Sequence, residues 1–233
     1  MAEEVDTRVT LSLHPLSVTK IDGYSEKTAV YITGTKQVLN EAYSGVSAVF
    51  AAREAANRDP TLNEPARIIK TDDMAQRVFA KVAKLFDTER GNLERGIAHL
   101  EAQLTAAVTA KAAHPVAAEI RAYVKALPNT ERATFIRSAI LNGDVETASS
   151  CLGAPSYLCG IDDKMKAVLV RTYHVHNAPD EAAKLTVMQG AKALIDDRGG
   201  LLFSQMENAV GAQPHEVRKL REAKARSDRA FAL

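Results

Sequence analysis

The sequence predicts an all-α protein with a long helical hairpin, a compact bundle of short helices and an extended N-terminal arm. Three observations predict it. Apolar residues recur at three- and four-residue spacing through most of the chain, the period of one helix face. Alanine is abundant and aromatics make up only 5%, with no Trp, so helices can approach closely. Between His114 and Asn177, Pro and Gly stops cut the helical pattern into four or five short pieces. The expected division is an arm over residues 1–22, a hairpin over 23–113 and a compact helical domain over 114–233.

The arm is expected to be strand-like. Val5, Val9, Leu11, Leu13 and Leu16 partly alternate with Thr and Ser until His14-Pro15 interrupts them. A lone strand has unpaired backbone groups, so the arm is expected to pair within the chain, lie on a helix surface or reach a neighbouring subunit. Residues 24–57 then carry an apolar stripe of Val30, Tyr31, Val38, Leu39, Ala42, Val46, Val49 and Phe50. Gly34 and Gly45 on this helix mark a close approach or a bend. The β-branched run VYITGT leaves its start undefined. Asn57, Asp59 and Pro60 stop it, and a loop is expected to Lys70. A second long helix follows over residues 72–110, capped by Thr71 or Asp72, with Gly91 and Gly96 as candidate kinks.

The short helices are read from their ends. Pro128 stops the helix carrying Val116, Ile120, Tyr123, Val124 and Leu127. Gly143 suits the left-handed residue after the next helix, and Asp144 suits the cap of the one after that. Gly153 and Pro155 end that piece. Asp162 or Asp163 opens a helix bearing Met165, Val168, Leu169, Thr172 and Tyr173, which Asn177 and Pro179 close. Residues 180–211 are helical but broken at Gly199-Gly200, the strongest breaker pair in the chain. Pro214 opens the last helix, which carries six basic residues against three acidic ones over 214–233.

Composition narrows the function classes. A chain of 233 residues buries a real core, and 46% hydrophobic with 25% charged residues is ordinary for a folded soluble protein. The net charge of +1 creates no global field toward nucleic acid or membrane. Two cysteines make no disulfide framework and suit a reduced, intracellular setting. The polar, acidic start fits no signal peptide, and no apolar run approaches the roughly 20 residues of a membrane span.

Candidate chemistry is sparse. Cys151, Cys159, His174 and His176 are zinc-type ligands, but Cys-x7-Cys followed by His-x-His matches no common zinc signature. His174 and His176, two apart, face different sides of a helix. No nucleophile elbow, phosphate loop or dinucleotide fingerprint occurs. The pairs Asp72-Asp73, Asp162-Asp163 and Asp196-Asp197 sit at expected helix starts or breaks, where capping explains most of them. No catalytic, cofactor-binding or metal-ligating residue is therefore assigned, and no cofactor or enzymatic activity is expected. A helix-turn-helix look over residues 116–142 lacks the turn glycine and offers only Arg132 and Arg137 on its second helix, which suits a three-helix core.

Leu127-Pro128, Arg132, Gly143-Asp144, the Leu152-Gly153-Ala154-Pro155 turn and Leu158 carry a resemblance. Over about residues 115–180 the chain resembles uncharacterised helical proteins encoded in structural gene clusters of tailed phages and prophages. The resemblance implies a virion-associated or assembly role, located in the virion or the bacterial host cytoplasm. It supplies no functional residues. The expected function is that of a non-enzymatic structural or assembly protein in a bacteriophage virion, with copies of itself or other structural proteins as partners and no membrane. The alternative is a DNA-associated accessory protein that uses the basic last helix for weak, non-specific contacts. That helix also has an apolar side, and Val217, Leu220, Arg221, Lys224 and Phe231 are its expected docking residues.

Overall fold

The computed structural model describes residues 5–112 and 115–232. Residues 1–4 of the expected arm, His114 at the head of the expected compact domain, and Leu233 lie outside them. Every regular element among the described residues is helical. In chain order they are α1 (Glu26–Ala29), α2 (Thr33–Arg58), α3 (Glu64–Lys111), α4 (Ala117–Ala126), α5 (Asn129–Leu141), α6 (Val145–Leu152), α7 (Ser156–Cys159), α8 (Asp163–Asn177), α9 (Pro179–Val210) and α10 (Pro214–Ala230). Short 3-10 helices occupy Leu11–Leu13, Pro15–Lys20 and Val30–Ile32.

The chain forms two compact units, one of residues 1–93 with 190–233 and one of residues 94–189. This grouping differs from the expected division at residues 22 and 113. Unit 1 is discontinuous because α3 leaves it and α9 returns to it.

In unit 1 the arm is not an extended strand. Its backbone closes three-residue turns, with the N–H groups of Leu13, His14, Ser17 and Ile21 donating to the carbonyls of Thr10, Leu11, His14 and Val18. These local bonds satisfy the backbone without a second strand, so the alternating pattern needs no partner chain. Val9, Leu13, Pro15 and Val18 are buried, and both 3-10 helices pack on α2. The His14 ring meets Tyr43 edge-on at 4.9 Å, and its Nδ1 accepts the Leu16 N–H at 3.2 Å. Asp6 accepts from Ser47 Oγ at 2.5 Å and from Arg8, while the Tyr43 hydroxyl donates to the Asp6 carbonyl at 3.0 Å. Arg8 also pairs with Glu54 and lies over the Phe50 ring.

Helices α2 and α3 form an antiparallel pair. Contacts advance along one helix as they recede along the other, from Thr35 donating to Glu89 at 2.8 Å, through Lys81 to Glu41 at 2.7 Å, to Gly45 beneath Val78. A Cβ on Gly45 would lie 2.7 Å from Val78 Cγ1, so the glycine is what admits the close approach. Helix α3 starts earlier than Thr71 or Asp72. Asn63 accepts the Ala66 N–H at 3.0 Å and caps it, with Pro65 in the first turn. The expected loop to Lys70 therefore shrinks to residues 59–63. Thr71 turns its hydroxyl back to the Arg67 carbonyl, and Asp72 is free for other contacts.

Gly199-Gly200 does not break α9, which runs unbroken from Pro179 to Val210. Two glycines cost roughly 1 kcal/mol each in a helix. Ile195 and Leu202, on either side, are 0% and 1% exposed, and burying each contributes about 1.5–3 kcal/mol. Packing exceeds propensity here. Gly91 and Gly96 likewise lie within the unbroken α3.

Unit 2 follows its punctuation. Pro128 ends α4 and precedes α5; Gly143 has φ +73° after α5; Asp144 accepts the Thr147 N–H at 3.0 Å to cap α6. Asp162 caps α8 through the Met165 N–H at 2.7 Å. Gly153 ends α6, and the extra turn α7 follows Pro155. The core gathers Val108, Val124, Ile136, Ile140, Leu152, Leu169 and Tyr173 around the two cysteines. The Arg132 guanidinium ties its corners, donating to the carbonyls of Lys125, Leu127 and Gly160 at 2.9, 3.0 and 2.8 Å.

Candidate interaction surfaces

Of the residues with metal-binding chemistry, the two cysteines lie in the core, His174 is half-buried and His176 is exposed. Cys151 and Cys159 are both fully buried, and the Cys159 thiol donates to the Cys151 carbonyl at 3.7 Å. Its hydrogen bond with Cys159, and then burial, push the Cys151 thiol well up. Burial pushes the His174 imidazole down. Among the described residues no group of three or more His, Cys, Asp or Glu side chains is placed to hold a metal ion. Of the two basic residues on the second helix of the helix-turn-helix look, Arg132 is occupied by the three carbonyls above.

The expected docking residues on α10 divide into two sets. Val217 is buried, at 5% exposure, and Leu220 is half-buried over Leu62, Pro65, Ala66 and Ile69 in a cleft of about 590 Å³. Arg221 bridges Asp72 and Asp73 of α3, with its Nη2 2.5 Å from Asp73 Oδ1, and the two carboxylates raise its already high pKa further. Lys224 pairs with Asp228 one turn on, at 2.7 Å. Val217 and Arg221 therefore make contacts within the chain, Leu220 lines the open cleft facing the start of α3, and Lys224 lies on the exposed side of α10. Phe231 remains 86% exposed.

Two surfaces were not legible in the sequence. In unit 2, α8 buries Leu169 and Tyr173 but leaves Met165, Val168 and Val175 exposed at 36%, 51% and 58%. With Thr172 they fall at helical spacing along one outer face. All were visible as apolar positions, but periodicity cannot say which of two apolar faces turns inward. In unit 1, Ala75 and Phe79 of α3, Phe203, Met206 and Val210 of α9, and Val217 of α10 line a slot of about 190 Å³. Phe79 and Phe203 meet edge-on at 5.9 Å, and Phe203 is 52% exposed. The pair is 124 positions apart in sequence, so no local signal announces it.

Comparison with protein-family models, with curated proteins and with solved structures gives no match for this chain. No described helix is long and apolar enough to cross a membrane.

Proposed function

We propose that the chain is a non-enzymatic structural or assembly protein that works through protein–protein contacts, and that its setting is a bacteriophage particle. The observation that carries the reading is the exposed Met165–Val168–Val175 face of α8. Scattered apolar residues on a surface need no explanation, but a contiguous stripe on one helix is the form a helix presents to a partner. The resemblance of residues 115–180 to phage structural-cluster proteins supports the setting. Light scattering on the purified chain tests the reading, with Val168→Asp and Val175→Asp as variants. The expected result is an oligomer or a co-purified partner that both variants release. A lone monomer whose mass neither variant changes, with no partner retained, sinks it.

The DNA-associated alternative draws less support. Of the six basic residues on the last helix, Arg221 is committed to Asp72 and Asp73, and three acids are interspersed among the rest, so the helix presents little concentrated positive charge to phosphates. Tight DNA binding that persists at about 150 mM salt and vanishes on removing residues 214–233 would reverse that ranking.

A further inference from the structure

Phe231, just beyond α10, is the most exposed large apolar side chain among the described residues, at 86%. Unit 1 also holds the apolar slot of Phe79, Phe203, Met206, Val210 and Val217, whose Phe203 wall is itself half-exposed. The two cannot meet within one chain. Val217 in the slot wall lies on α10 and Phe231 directly follows the last residue of that helix, fourteen residues and therefore about 21 Å further along its axis. The charges nearby are of opposite sign. Arg226 and Arg229 stand on the turns before Phe231 and are exposed. The slot lining carries the Asp72 carboxylate, already held by Arg221, and the Glu207 carboxylate.

We propose that Phe231 of one copy inserts into the Phe79–Phe203 slot of a second copy, with Arg229 facing Glu207. This rests on the assembly reading and names its partner as the same chain. Knob and slot are different surfaces, so the contact is heterologous: the copy that gives its knob keeps a free slot, the copy that receives it keeps a free knob, and the assembly grows until it closes on itself or continues as a filament. An aromatic anchor in an apolar pocket is the usual centre of such an interface.

The test uses the full chain and sedimentation velocity over a range of concentrations. Wild type is expected to grow beyond a dimer as concentration rises. Phe231→Asp, which keeps the slot, and Phe203→Asp, which keeps the knob, should each associate roughly 30-fold or more weakly, the effect of losing one hot-spot contact. Their equimolar mixture should form a heterodimer and stop there. Both positions are exposed, and circular dichroism verifies folding. Should Phe203→Asp unfold, Glu207→Arg takes its place, weakening assembly alone and regaining it when mixed with Arg229→Glu. Undiminished self-association of Phe231→Asp overturns the knob while leaving the α8 surface untouched. A wild-type chain that stays monomeric throughout overturns self-docking, whereas the assembly reading itself stands or falls with Val168→Asp and any co-purified partner.

Discussion

In unit 2, helix ends from α4 to α8 fall at residues that mark them in the sequence: Pro128, Gly143, Asp144, Gly153 and Asp162. In unit 1, helices run past equally strong marks, α3 beginning before Asp72 and α9 crossing Gly199-Gly200. A short helix buries only a turn or two of apolar face, so running on past a cap would add little burial, and its caps decide where it stops. A long helix buries an apolar face turn after turn, and that burial outweighs a local breaker.

The largest effect that would break this contrast lies at Arg132. If its three carbonyl contacts close the corners of unit 2, Arg132→Ala should lower the unfolding free energy by about 2–3 kcal/mol, read from urea titration with tryptophan-free detection by circular dichroism. A negligible change would mean that capping alone holds the bundle. In unit 1 the matching test is Gly45→Val, which drives a branched side chain into Val78. A loss of about 1–3 kcal/mol is expected from overpacking. An unchanged midpoint would show that α2 and α3 are loosely paired.

The fold class and the corners of unit 2 were legible because proline, glycine and aspartate act within a few residues of themselves. The arm was misread because alternation puts Val9, Leu11 and Leu13 on one face, whereas the 3-10 turns bury Val9, Leu13 and Val18 and leave Leu11 exposed, and only the surface of α2 decides between them. The start of α3 was missed because Asn63 and Thr71 are both plausible caps in sequence, and Thr71 instead bonds backward to Arg67. On α10 the apolar side was legible, but its occupant was not. Arg221 finds Asp72 and Asp73 across 149 and 148 positions, beyond any local signal.

A third prediction has the opposite sign from the first two. Gly199→Ala and Gly200→Ala should each stabilise unit 1 by about 1 kcal/mol, because a Cβ at either position meets nothing within 4 Å. That is a rise of roughly 2–4 °C in Tm per substitution for a chain of this size. A fall would mean that the pair serves as a break after all.

The smallest effect concerns the N-terminal segment. Its hydrogen bonds with Arg8, and those with Ser47, hold the Asp6 carboxyl well below the usual carboxylate range. Its contribution is therefore fully present above the unfolded-state pKa of about 3.9 and is lost as pH falls toward the depressed folded value. Asp6→Asn should flatten the acid limb of the stability curve below about pH 4 while leaving neutral pH dependence unchanged. An identical acid limb would detach Asp6 from the packing of the segment on α2.

Hydrogen exchange on the full chain, compared between dilute monomer and assembled protein, tests the central claim most directly. Burying a surface in an interface suppresses the local openings through which amides exchange. The account predicts slowed exchange concentrated at residues 163–177 of α8, and at 203–210 and 226–232 where slot and knob meet. Assembly that leaves these segments unchanged, with protection appearing elsewhere, would contradict it.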